Sequence, residues 1–250
     1  MSNPQIRMFP DVAALADAAA QQIVASARAA VAAHERFTIA LSGGSSPRAV
    51  YERLAEPALS AQMPWDRTYV FWSDDRAVPL DHPDSNYRMA CEALLSHVPI
   101  PREQIKPMLS QVEDLASAAQ HYSRVIQALV PGSPPCFDLV LLGMGPDGHT
   151  ASLFPHSPQL DAGDALVVAT PVAPLKPHVR RLTFTASLIN AAAAVLFMAT
   201  GADKATTLQQ VLEGPYRPLD LPSQVVAPRS GTLVWMLDHA IAQELKQTYE

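Results

Sequence analysis

The run FDLVLLGMGPDGHTASLFP, residues 137–155, closes an apolar stretch with a glycine-spaced turn that carries an acid and an imidazole, Asp147 and His149. An imidazole exchanges protons near neutral pH, so His149 is a candidate general base able to draw a proton from water. Asp147, two residues earlier, is a candidate to hold its tautomer. Gly143, Gly145 and Gly148 also give the G-x-G-x-x-G spacing of a dinucleotide-binding turn. The context argues against that use. The run lies in mid-chain, Pro155 stops a long helix from starting cleanly there, and Asp164, the nearest candidate for a ribose-binding acid about 20 residues on, precedes its strand instead of ending it. His149 and His156 lie seven apart with no close cysteine, which is no zinc pattern.

Two more segments have chemistry-bearing residues after an apolar run. SGGSSPR, residues 42–48, offers two glycines for close backbone approach, the hydroxyls of Ser42, Ser45 and Ser46, and the N–H groups of a helix start. These suit a phosphate, although no Gly-Lys-Ser/Thr follows as in a Walker loop. SDDRAV, residues 73–78, sets Asp74 and Asp75 beside Arg76. Adjacent carboxylates next to an Arg can tune a pKa or bind sugar hydroxyls. Further on, Lys176, Arg180, Arg181 and Lys204 are cations available for anion contacts.

These residues need elements that bring them together. Residues 11–33 read as an Ala-rich helix with Asp11 as N-cap. RFTIALSGG reads as a buried strand, and the next segment as a helix capped by Ser46 with Pro47 in its first turn. TYVFWSDD is a second strand, ending in acids. Helices follow at 85–97, with a Ser or Asn cap, and at 112–130, stopped by Pro131-Gly132. FDLVLLGMG is a third strand. DALVVATPV and VRRLTFT are strand-like. ASLINAAAAVLFMATG is a short helix leading into a strand at about 195–200, and ADKATTLQQVLEG is a helix ending at Gly214. Residues 215–228 form a proline-rich loop, and TLVWMLDHAIAQELKQ is strand then helix. The alternation predicts an α/β protein with a mostly parallel, helix-covered sheet. It continues across every proline patch, so residues 1–250 are expected to form a single domain.

The bulk numbers narrow the classes. A 48% hydrophobic content fits a globular chain, and a net charge of −6 disfavours nucleic acid and anionic membranes as partners. An anionic ligand would need cations gathered locally. Two cysteines, Cys91 and Cys136, make no disulfide framework and fit a reduced, cytoplasmic setting. The N-terminal residues lack a signal-peptide pattern, and no run approaches the roughly 18–20 apolar residues of a membrane span.

Taken in order, LSGGSSPRAVY, FWSDDRAVPLDHPDSNY, LVLLGMGPDGHTASLFP, RLTFT, GADKA and LPSQVVAPRSGTLVWMLD resemble the 6-phosphogluconolactonase family, over about residues 8–245. The resemblance implies a Rossmann-like α/β fold with a mostly parallel sheet covered by helices on both faces. It implies hydrolysis of 6-phospho-D-glucono-1,5-lactone, with His149 as base, and no metal or organic cofactor. It implies phosphate binding by Ser42, Gly43, Gly44 and Ser45 with Arg181 and Lys204, and puts Asp74, Arg76 and Asn86 near the sugar ring. The partner is then a phosphorylated sugar lactone, and the protein a monomer or weak homodimer. Asp75 stands where the family usually has Glu, which shortens that carboxylate's reach, and Arg48 stands where Lys is common. Two alternatives stay open: a glucosamine-6-phosphate deaminase, which shares the phosphate loop and the glycine–His loop, and a catalytically silent phosphosugar-binding regulator.

Overall fold

A computed structural model describes residues 4–109 and 114–247. In chain order the strands are β1 Gln5–Phe9, β2 Phe37–Leu41, β3 Thr68–Trp72, β4 Asp74–Arg76, β5 Leu139–Leu142, β6 Val167–Ala169, β7 Arg181–Phe184, β8 Ala194–Ala199 and β9 Thr232–Asp238. The helices are α1 Val12–His34, α2 Ser45–Ala55, α3 Pro57–Ser60, α4 Asn86–Ala90, α5 Leu115–Leu129, α6 Ala186–Ile189, α7 Ala205–Glu213 and α8 His239–Ala242. Six strands pair in the order β1-β9-β8-β5-β2-β3, all parallel. The other three form a small antiparallel sheet, β4-β7-β6.

Every residue of β2 and of β5 is buried. Continuous apolar runs are what a strand covered on both faces requires. Neighbours in β3 show the two layers, because successive side chains point to opposite faces. Trp72 packs on Tyr87 of α4, while Phe71 meets Phe137 and Tyr122 of α5. Phe184 of β7 joins Phe137 and Tyr122, which fixes the small sheet to the large one. Phe37, Phe71, Phe137 and Phe184 are fully buried, and each such ring contributes about 1.5–3 kcal/mol relative to exposure.

Most helix boundaries follow local chemistry. Asp11 accepts the N–H of Ala14, Ser85 accepts that of Arg88, and Gly214 ends α7. Asp114 caps α5 through Ala116; residues 112 and 113 of the expected helix lie outside the described residues. The stretch expected as one helix over 85–97 is α4 running into a wider π turn at Cys91–Leu95.

Three expectations need correction. Ser46 does not cap α2: Gly44 holds that position with φ 109°, and the Ser46 hydroxyl pairs with Thr200 at 2.7 Å. The segment 68–75 is not one strand. Ser73 donates its N–H to Leu41 of β2 at 2.8 Å, but its carbonyl accepts from Phe184 of β7 at 2.7 Å. The chain therefore changes sheets at that residue. Finally, β1 has no counterpart in the sequence reading. It is an edge strand that buries Ile6 alone, so it lacks the apolar alternation that marks a strand. No helix among the described residues is long and apolar enough to cross a membrane.

Candidate active site

β2 and β5 are neighbours inside the large sheet, and the next strands of that sheet along the chain lie on opposite sides of them, β3 beyond β2 and, after the excursion through β6 and β7, β8 beyond β5. Their following loops diverge and leave a crevice at the strands' carboxyl ends, the place where open α/β sheets bind ligands. A cleft of about 160 Å³ lies there. It is lined by Ser42, Gly43, Gly44, Ser45, Asp74, Arg76, Asn86, His149, Arg181 and Lys204. Asp147 stands behind His149. Residues 46, 47, 143–145, 151 and 198 complete the wall. Lys176 and Arg180 are exposed and outside its lining. Arg48 also lies outside the lining and pairs with Glu52 on the exposed side of α2.

The 42–45 loop is clamped from below. Tyr51, in the middle of α2 and fully buried, accepts the Ser42 N–H and donates to the Ser42 carbonyl, both at 2.9 Å. Gly43 lies against Asn86: a Cβ there would sit 2.0 Å from the Asn86 Oδ1. The loop thus delivers backbone and the start of an 11-residue helix to the cleft, where free N–H groups favour an anion.

His149 is held by a ring of short contacts. Its Nδ1 lies 2.5 Å from Asp147 Oδ1, and its backbone N–H donates to the same oxygen at 3.2 Å. A carboxylate can only accept, so Nδ1 carries the hydrogen and a neutral ring keeps its lone pair on Nε2. Burial raises the Asp147 carboxyl, but the hydrogen bonds and charge of His149 more than offset this and hold it below its ordinary value. The glycines shape the loop. Gly148 takes φ 79°, and a Cβ on Gly145 would lie 2.1 Å from His149 Cε1 and Nδ1. The ring also packs on Phe154, centroids 4.6 Å apart. The proline-rich stretch 215–228 serves as a buttress, with Ser223 N–H donating to the Gly148 carbonyl at 2.8 Å. Thr207 of α7 donates to the Pro146 carbonyl at 2.7 Å.

Asp74 and Asp75 do not face the cleft together, because adjacent residues of a strand face opposite ways. Asp74 lines the cleft. Asp75 turns inward and accepts N–H groups of Arg76 and Asn86 at 2.7 Å and of Tyr87 at 3.1 Å. It anchors the start of α4, which carries Asn86. Burial pushes its carboxyl up to about 6, against the lowering effect of those N–H groups, with Asp74 adding to the rise. A carboxyl raised in the folded state stabilises the fold below its unfolded pKa, and this contribution is lost as pH rises through the folded one. Asp75→Asn should therefore remove a fall in stability, on the order of a few kcal/mol, between about pH 4 and 6. Urea midpoints of both proteins across that range check it.

Arg76 and Arg181 face each other across β4 and β7. Arg76 donates to the Asp84 carbonyl at 3.2 Å and to Asn86 Oδ1. Arg181 is buried, and burial lowers its pKa while Asp74 opposes that. With Lys204, the cleft gathers three cations around one lining acid in a chain of net charge −6. Ser152, which the sequence did not single out, donates to Asp74 Oδ2 at 2.6 Å from a fully buried position. No local signal identifies it, because its partner lies 78 residues away.

The fold and this cleft define an α/β protein that sets three cations and a helix start beside a carboxylate-oriented histidine. Residues 10–235 match the model of the glucosamine-6-phosphate isomerases/6-phosphogluconolactonase family, and the chain belongs to that family. It is 40% identical to a 6-phosphogluconolactonase of Synechocystis sp., covering 97% of this chain and 99% of that one. A Mycobacterium tuberculosis 6-phosphogluconolactonase is 39% identical, with 97% and 99% covered. Among solved structures, the 6-phosphogluconolactonase of Trypanosoma brucei superposes with TM-score 0.87 at 32% identity, over 98% of this chain and all of that one. A monomeric glucosamine-6-phosphate deaminase shares the fold, with TM-score 0.80 at 17% identity.

Proposed function

We propose that this protein hydrolyses 6-phospho-D-glucono-1,5-lactone to 6-phospho-D-gluconate, the second step of the oxidative pentose phosphate pathway. The observation that carries the proposal is the His149–Asp147 pair, set in the same cleft as Arg181, Lys204 and the start of α2. Such a cleft suits a substrate with a phosphate at one end and a hydrolysable bond at the other. The near full-length similarity to proteins named as lactonases supports the same reading.

In this mechanism the phosphate rests on the 42–45 loop with Arg181 and Lys204, and its binding orients the ring far from the reacting bond. His149 Nε2 removes a proton from water as the water oxygen attacks C1. Asp147 holds the Nδ1 hydrogen and stabilises the imidazolium. Arg76 or backbone N–H groups bear the oxyanion. The bond from C1 to the ring oxygen then breaks, and the imidazolium returns its proton to that oxygen. Asp74 and Asn86 hold sugar hydroxyls.

Acid release from freshly made lactone, corrected for spontaneous hydrolysis, tests the activity. Enzyme-dependent release supports it. Ammonia release from glucosamine 6-phosphate, or binding without turnover, contradicts it. Because the phosphate anchor acts away from the reacting bond, Lys204→Ala should raise KM about tenfold or more, the worth of a hydrogen bond to a charged group, with a smaller change in kcat. Steady-state kinetics separate the two.

A further inference from the structure

We propose that Ser152 keeps Arg181 available to a bound anion by holding the Asp74 carboxylate away from it. Ser152 is thus a positioning residue for the anion site without touching the ligand. The proposal rests on reading the cleft as a phosphosugar site.

A guanidinium has five N–H donors and, when buried beside a carboxylate, normally closes on it at about 2.7–2.9 Å. Arg181 does not. Its side chain is only 4% exposed, yet Nη1 stays 4.0 Å from Asp74 Oδ2. Nη2 reaches the Pro177 carbonyl at 3.5 Å, Cζ lies 5.2 Å from the centre of the Phe154 ring, and Nε has no hydrogen-bond partner among the described residues. Most of its donor capacity is unspent, and the residue lines the cleft.

Asp74 is occupied elsewhere. Its Oδ2 accepts the Ser152 hydroxyl at 2.6 Å, and the Asn86 amide donates to its backbone carbonyl at 2.9 Å and approaches Oδ1 at 3.5 Å. Ser152 is itself fixed. Its N–H donates to Thr183 Oγ1 at 3.1 Å, and its carbonyl accepts from Gln159 at 2.9 Å. Thr183 is the register partner of Asp74 and lies two residues from Arg181. The serine is therefore tied to the strand pair that carries both charges. Without its hydroxyl, Asp74 Oδ2 loses its donor, and the guanidinium 4.0 Å away is the cation it can turn to. An incoming phosphate must then break an ion pair before Arg181 can bind it.

The test measures the Kd of inorganic phosphate by calorimetry, and KM and kcat with fresh lactone, in wild type, S152A, D74N and the double variant. S152A should raise phosphate Kd and KM about tenfold, with kcat changed less than about threefold. In the D74N background, where the carboxamide forms no ion pair, S152A should change Kd less than about twofold. An unchanged phosphate Kd in S152A, or an equal loss in both backgrounds, overturns the proposal. Ser152→Cys, a weaker donor of similar size, should shift Kd in the same direction and serves if S152A does not fold. Arg181→Ala separates the two layers. If it leaves phosphate Kd unchanged, the phosphate reading falls and this proposal with it. If it weakens binding while S152A does not, only the role of Ser152 falls.

Discussion

His149→Ala should lower kcat at least about 100-fold, the low end of what a positioned general base contributes, while the affinity for 6-phosphogluconate stays within about threefold of wild type. The asymmetry follows from the layout of the cleft. The imidazole is held by Asp147 and Phe154 on the β5 side, whereas the cations and the α2 start that attract a phosphate belong to other segments. Removing the ring deletes the proton acceptor and leaves the anchor in place. Stopped assays with fresh lactone and a calorimetric titration with product give both numbers. A variant that hydrolyses lactone at the normal rate would show that another group is the base.

Gly145→Ala should cost nearly as much, about 100-fold in kcat, although it removes nothing from the enzyme. The added Cβ would lie 2.1 Å from His149 Cε1 and Nδ1 and 2.9 Å from Asp147 Oδ1. The backbone at Gly145 cannot retreat freely, because its N–H donates to the His149 carbonyl at 2.9 Å. The imidazole must move instead, and it gives up the Asp147 bond that sets its tautomer. Misplacement of a catalytic group by about 1 Å can cost about 100-fold. Gly145 is buried but lines the cleft, so the protein should still fold, with its thermal midpoint lowered by the displaced His149 contacts. Turnover within a few-fold of wild type would mean that the position of this ring does not limit the reaction.

The alternation of strands and helices was legible because the central strands are buried on both faces and read as unbroken apolar runs, as in FTIAL and LVLL. The cleft was legible because three of its segments directly follow such runs. The limits have equally physical causes. A strand that changes sheets at Ser73 keeps the same two-residue period on either side, so TYVFWSDD looked continuous. That period also sends Asp74 and Asp75 apart, which turned an apparent carboxylate pair into one cleft residue and one helix anchor. The shorter Asp75 side chain still reaches the N–H groups at the start of α4. β1 escaped because an edge strand with one buried residue carries almost no pattern. Ser152 and Thr183 escaped because their role is defined by contacts made only when distant segments meet.

In the proposed mechanism one cleft holds a phosphate at the 42–45 loop, Arg181 and Lys204 while presenting C1 to His149. A crystal structure with 6-phosphogluconate bound tests this most directly. The phosphate should lie on those groups and the C1 carboxylate within about 3 Å of His149 Nε2, or one water away. A ligand bound in the reverse sense, with its phosphate at His149, or one bound outside this cleft, would contradict it.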